Sequence, residues 1–403
     1  MNRVDDQPCN DNLKILFSSP SVSRLYTGVY EVQRNLAKEF SKKAIDVCIH
    51  GLRDEYTSED INSWAPVLPN VHDVIGPKSV GYSQSYLPAL RKSDASVGHI
   101  HALWSYTSYA LYRWSVECDK PYLFSVNGYL DDWALANSGF KKKIALKLGF
   151  RSVLENADCI QVNSHRELAA VRSLGLKNPI CMISNGVVLP DLEVKTSPPW
   201  PLESGDDERV LLYLGRIDKK KGVDLLLQAW NLVNRRGHAD GWQLLLVGFN
   251  VHQTEYEKQI KDFIQEESLS AKVTCLVGQY GEQMEACYRA CTAFILPSFS
   301  EGASIAVLNA WAFAKPVVVT DECGFPNATE SGCAVRIEPS VASIISGIEI
   351  CIEMSDSERE AMGSKGLQLV TQKYSWSVVA KQIYEVYQWM CFSDQAKPDS
   401  FID

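Results

Sequence analysis

Two rhythms of apolar and polar positions alternate along the chain. Short apolar runs end in glycine, serine or proline. Stretches follow in which apolar residues return every third or fourth position. LKILFSS (13–19) is such a run. The loop SPSVSRLYTG follows, then a helical stretch with Val29, Val32, Leu36 and Phe40 in register, then the strand IDVCIHG. The order strand, helix, strand predicts a βαβ unit and so an α/β fold with a parallel sheet. Gly28 stands where this loop becomes a helix, a place where glycine lets a backbone approach a ligand.

The same rhythm continues. Residues 52–95 are interrupted by Pro66, Pro69, Gly76, Pro77 and Gly81 and predict loops with short elements. SVGHIHALWS predicts a strand ending at His101, followed by a helix over 105–118. PYLFSVNG predicts a strand ending near Asn127. His101 and Asn127 would share the rim of a parallel sheet with Gly28. A loop histidine satisfied by its neighbours explains His101 equally well. ADCIQVNS, a helix from His165 to Leu174 and PICMISNG complete the first half.

Residues 191–208, rich in proline, serine and acids, read as a linker. The pattern then restarts with RVLLYLG, the basic loop RIDKKKG and a helix from Val223. WQLLLVG, KVTCLVG and a helix over 282–291 follow. In residues 291–319 the strand Ala293–Leu296 runs into a polar loop holding Glu301 and Gly302. A helix that is apolar almost all round comes next, and then the strand Val317–Val319. Loops at the carboxyl ends of parallel strands are where such sheets bind ligands, and a helix start offers N–H groups and a positive dipole end to a phosphate. Cations beside glycines, as in Gly215, Arg216, Lys221 and Gly222, suit a diphosphate, although a basic surface turn has the same composition. The last long helical pattern is TQKYSWSVVAKQIYEVYQWM.

Composition narrows the picture. At 403 residues two domains are expected. A net charge of −9 gives no reason to expect a nucleic-acid partner. The twelve cysteines form no CxxC pair and read as reduced, packed thiols. Cys287 and Cys291, four apart on a helix, lack nearby ligands to complete a metal site. No apolar run has membrane-span length and the polar N-terminus is not a signal peptide, so a cytoplasmic protein is expected. Against the acidic whole, FKKKIALKLGFRSVL (140–154) is basic. Lys143, Lys147 and Arg151 share one face, which predicts peripheral contact with an anionic membrane, a solvated helix face being the alternative.

Several separate segments, in order, resemble the retaining glycosyltransferases of family 4. They are HIHALWSYTS (99–108), SVNGYLDDWAL (125–135), SNGV (184–187), LYLGRIDKKKG (212–222), PSFSEGASIAVLNAWAFAKPVVVT (297–320) and KYSWSVVAKQIYEVY (373–387). LDDWAL followed by a lysine-rich helix resembles enzymes that build bacterial surface polysaccharides. The resemblance implies the GT-B fold, with two Rossmann-like domains facing across a cleft. The expected boundaries are 1–195 for the acceptor domain, 196–208 for the linker, 209–375 for the nucleotide-sugar domain and 376–403 for a helix returning to the first. It implies hexosyl transfer from a nucleotide-diphosphate sugar to a glycan or polyprenyl-diphosphate-linked acceptor, without a metal or other cofactor. Arg216 and Lys221 match the pair that neutralises the donor diphosphate, and Glu301 the acid that binds the donor sugar. Gly28, Gly215, Gly302, Ala303, Ser304 and Ile305 match backbone contacts to the donor. Gly248 and Tyr280 fall where the base would lie, and His101 and Trp133 on the acceptor side.

Three departures accompany the resemblance. The second acid of the E-x7-E signature, which grips the ribose, is Asn309. The histidine usual near the reacting centre is Asn127. The usual EGFG reads EGAS. They leave a second reading, a non-catalytic GT-B protein that binds a nucleotide-sugar or supports a partner transferase. A sugar-nucleotide epimerase of the same fold fits the motifs less well.

Overall fold

The computed structural model describes residues 13–130, 149–200, 209–325, 328–392 and 394–402. Trp133, the lysines of 140–148 and the linker residues 201–208 therefore lie outside the described residues.

The chain splits into two compact units, residues 1–184 with 379–403, and residues 185–378. The first holds β1 (Lys14–Ser19), β2 (Asp46–Leu52), β3 (Asn70–His72), β4 (Val97–Ile100), β5 (Tyr122–Ser125), β6 (Cys159–Val162) and β7 (Ile180–Met182). These are parallel, in the order β7-β6-β5-β4-β1-β2-β3, and the short strand Phe401–Ile402 adds antiparallel to β7. The order reverses beside β1, whose neighbours are β2 and β4. Every residue of β4, β5 and β6 is buried, as strands covered by helices on both faces require. Tyr86, Trp114, Tyr122 and Phe124 anchor the core beneath them.

The second unit holds β8 (Arg209–Leu214), β9 (Trp242–Phe249), β10 (Val273–Val277), β11 (Ala293–Leu296), β12 (Val317–Thr320) and β13 (Ala334–Ile337). All are parallel, in the order β10-β9-β8-β11-β12-β13. Trp230, Trp311, Tyr213 and Tyr288 are wholly buried in its core. Each such side chain contributes about 1.5–3 kcal/mol by leaving water.

Three local expectations change. The structural division falls at 184/185, ahead of the 196–208 stretch, because Val187 and Trp200 are buried in the second unit's core. The C-terminal pattern is not one helix. Asp356–Lys373 ends, Tyr374 and Ser375 leave helical geometry as the Tyr374 carbonyl accepts from the Val187 N–H at 2.7 Å, and Trp376–Cys391 begins. Part of that last helix lies against the first sheet, with Tyr387 hydrogen-bonded to His99 at 2.5 Å and Tyr384 near Phe40. Gly28 is inside the first turn of the helix Thr27–Lys42, with ordinary φ and open space where a Cβ would go, so the backbone there does not require glycine.

Candidate functional site

In an open parallel sheet the ligand crevice opens where strand order reverses. In the second unit that point lies between β8 and β11, since β8 is followed in sequence by β9 on one side and flanked by β11 on the other. The loops leaving these two strands carry the residues singled out by sequence. Gly222, in the left-handed region at φ 69°, packs so tightly that a Cβ would sit 2.4 Å from the Pro297 carbonyl oxygen. The Lys220 carbonyl accepts from the Phe299 N–H at 2.9 Å and from Ser298 Oγ at 3.1 Å. The two loops are thus joined backbone to backbone.

This junction brings Lys221 and Glu301 into an ion pair, with side chains 14% and 15% exposed. Ser298 Oγ also lies 3.0 Å from the same Glu301 carboxylate oxygen. The loop after β12 fixes the far side. The Glu301 N–H donates to the Glu322 carbonyl at 2.8 Å, and the Ser304 N–H to the Cys323 carbonyl at 3.1 Å. Burial pushes the neighbouring Cys323 thiol up to about 12, so it stays protonated. Arg216 is different: its guanidinium is 76% exposed and lies 3.5 Å from Asp218, while Tyr213 donates to its carbonyl at 2.7 Å. Both cations therefore lie beside an acid, Lys221 shielded from solvent and Arg216 facing it. Cations presented from loops joined in this way can meet an anion with little reorganisation.

The other second-unit positions divide. Gly215 ends β8, donating to the Val247 carbonyl at 3.0 Å, and a Cβ on Gly248 would lie 1.8 Å from its oxygen. Gly248 thus serves the packing of β9 on the β8 loop. Tyr280 is exposed at the start of the helix Gly281–Ala290, beyond β10. Gly302 and Ala303 lie in the β11 loop, and Ile305 opens the helix Ile305–Ala312. Of the N–H groups expected to meet the donor at Ala303, Ser304 and Ile305, that of Ser304 is taken by the Cys323 carbonyl. Asn309 is half-buried on the helix Ile305–Ala312, and the nearby Tyr288 hydroxyl donates to the Ala306 carbonyl at 3.2 Å. Ser298 and Asp218 were not singled out from sequence. The acid within a basic loop was the available signal for Asp218, while Ser298 had none.

In the first unit, Asn127 follows β5 at φ 45°, donates through Nδ2 to the His101 carbonyl at 3.2 Å and accepts from Asn163 Nδ2 at 3.3 Å. His101 does not meet the expectation of an acceptor contact. It is wholly buried, its ring tilted against that of His99 with centroids 3.7 Å apart and edge-on to Phe17, and neither ring nitrogen has a hydrogen-bond partner among the described residues. Burial pushes its pKa down to about 3. Among the described residues no group of three or more His, Cys, Asp or Glu is placed to hold a metal ion, and Cys287 and Cys291 are packed in the core.

A family model described as "Glycosyl transferases group 1" matches residues 195–368, and one described as "Glycosyl transferase 4-like domain" matches residues 27–186. The chain belongs to the group 1 glycosyl transferases. Within this glycosyl transferase family it is 32% identical over 193 residues to the lipopolysaccharide 1,2-N-acetylglucosaminetransferase of Salmonella typhimurium, covering 46% of this chain and 49% of that protein. It is 26% identical over 253 residues to the D-inositol 3-phosphate glycosyltransferase of Corynebacterium urealyticum, covering 59% and 58%. The chain spans about half the length of the curated relatives it matches. Among solved structures, Anabaena HepE in complex with UDP and glucose superposes with TM-score 0.72 at 17% identity, covering 93% of this chain and 99% of that one. Sucrose-phosphate synthase from Thermosynechococcus elongatus gives 0.71 at 18%, covering 94% and 99%. These likenesses place the group 1 chain in the GT-B fold.

Proposed function

We propose that this protein is a retaining glycosyltransferase that moves a hexosyl group from a nucleotide-diphosphate sugar to a glycan or lipid-linked oligosaccharide in bacterial polysaccharide assembly. The observation that carries this is the Lys221–Glu301 pair at the switch point of the second sheet, with Arg216 on the adjoining loop. Arg216 offers a planar fork to a diphosphate and Lys221 a point charge. Glu301 accepts hydrogen bonds from the donor sugar hydroxyls, and Ser298 holds its carboxylate. As the bond to the anomeric carbon breaks, charge grows on the leaving diphosphate, and the two cations stabilise it. Asn127, on the rim of the first sheet, contacts substrate near the reacting centre.

Names of relatives support the substrate class. One is a lipopolysaccharide N-acetylglucosaminetransferase, and solved structures of the same fold are described with UDP and UDP-glucose. The basic sequence 140–154 supports a peripheral membrane contact. Among the described residues no helix is long and apolar enough to cross a membrane.

A thermal-shift screen of nucleotide diphosphates and their sugars, followed by transfer to membranes carrying lipid-linked acceptors, tests the reading. A donor that binds the native state raises Tm, and labelled product should follow. Donor binding with neither transfer nor slow hydrolysis would instead establish a non-catalytic nucleotide-sugar protein, the reading that Asn127 and Asn309 favour.

A further inference from the structure

Val126, Asn127, Gly128 and Tyr129 form a tight turn at the end of β5. The Tyr129 N–H donates to the Val126 carbonyl at 2.9 Å, and both central residues have positive φ, 45° and 75°. That is the type I′ geometry, which Asn-Gly adopts most readily. The turn aims Asn127, yet one internal hydrogen bond is little to hold a loop still.

The remaining restraint comes from the next crossover. Glu167, in the first turn of the helix His165–Ser173, is only 1% exposed. One carboxylate oxygen accepts the Gly128 N–H at 2.7 Å and the other accepts the Asn163 N–H at 2.7 Å. A single buried anion therefore ties the turn after β5 to the end of β6. Asn163 in turn donates to the Asn127 side-chain oxygen, and Asn127 donates to the His101 carbonyl. Asn127 is held at both ends of its amide, keeping one N–H and one lone pair for a ligand. Hydrogen bonds to a carboxylate are shorter and stronger than neutral ones, so this clamp is stiff.

We propose that Glu167 is a positioning residue, which clamps the Asn127-Gly128 turn through two backbone N–H groups and, through Asn163, sets the orientation of the Asn127 amide at the substrate. The plain alternative is a carboxylate that only caps its own helix. Its bond to Gly128, in a different crossover, goes beyond that role. This inference rests on the reading of Asn127 as a substrate-contacting residue.

Glu167→Gln keeps shape but turns an NH2 toward an N–H donor, so one of the two bonds is lost. In the full-length protein it should lower kcat by about 10-fold with donor KM within about 2-fold, because misplacement rather than lost binding is the defect. Asn127→Ala should lower kcat too, and the double variant should cost less than about 2-fold beyond Asn127→Ala alone. Independent of activity, amide exchange at Gly128 and Asn163 should quicken at least about 10-fold while the His99 amide is unchanged. Multiplicative losses in the double variant, unchanged exchange at Gly128, or exchange quickened equally throughout the first unit would overturn the clamp. A wild-type chain that transfers no sugar but shows the protected Gly128 amide would defeat the reading of Asn127 instead, leaving Glu167 a structural residue only.

Discussion

Lys221 and Glu301, 80 residues apart in the chain, meet as an ion pair between the loops that leave β8 and β11. Neither has much access to water, so each screens a charge the other could not hold alone. Lys221→Ala and Glu301→Ala should each lower kcat/KM by about 100-fold. Each should also cost about 1–3 kcal/mol of stability, because a largely shielded charge loses its partner. The double variant should cost about 1 kcal/mol less than the sum of the singles. Urea titration of the four proteins measures this, and strict additivity would show that the pair is not coupled.

The loop junction itself can be tested by adding one carbon. Gly222→Ala combines a left-handed backbone with a Cβ 2.4 Å from a carbonyl oxygen. A loss of about 2–3 kcal/mol is expected, with reduced donor binding because the Lys221 loop must move. Gly237→Ala is the comparison: φ is 71° but nothing lies within 4 Å, so only about 1 kcal/mol should be lost. Equal losses in the two variants would mean the approach to Pro297 does not matter.

Acid should act through the buried histidines of the first unit. Burial holds His99 well below its ordinary 6.5, His101 at about 3 and His50 at about 4. The unfolded chain takes up these protons near 6.5 and the folded chain does so only at lower pH. Their contribution is complete above 6.5 and lost as pH falls toward 3, with a slope of up to about 1.4 kcal/mol per pH unit for each group. Tm should therefore fall between pH 7 and 5, and His101→Phe, which removes one such group, should flatten the fall. An unchanged slope would place the acid sensitivity elsewhere.

Asn309 stands where the resemblance leads one to expect a glutamate, half-buried on the helix Ile305–Ala312. Asn309→Glu supplies a carboxylate for ribose hydroxyls. A charge-assisted bond exceeds a neutral one by about 1 kcal/mol, so nucleoside diphosphate binding should tighten by about 5-fold. Calorimetry measures it, and unchanged or weaker binding would mean that position 309 does not meet the ribose.

The strands and the loops that carry the site were legible because a parallel βαβ pattern repeats with its own punctuation, and GRIDKKKG and SEGAS fall at strand ends. What could not be read is who meets whom. The pairing of Lys221 with Glu301 spans three crossovers, and nothing local to either residue encodes it. The capture of the Ser304 N–H by Cys323 depends on a loop contributed by β12. Gly28 has no backbone conformation that requires glycine, and a glycine at a loop–helix junction has the same local signature whether or not its backbone needs the freedom. His101 was ambiguous by sequence, since a strand end can turn a side chain to the rim or to the core, and here Phe17 and His99 enclose it.

The two-residue strand Phe401–Ile402 shields β7, with the Met182 N–H donating to the Ser400 carbonyl at 2.7 Å and Phe401 packed on Trp389 at 4.6 Å. Without that cover, β7 would offer unpaired backbone groups to another chain, the usual start of sheet-to-sheet association. Shelf life and self-association of the purified protein should therefore depend on residues 394–402, and a fusion or deletion there would be felt first as aggregation rather than as lost chemistry.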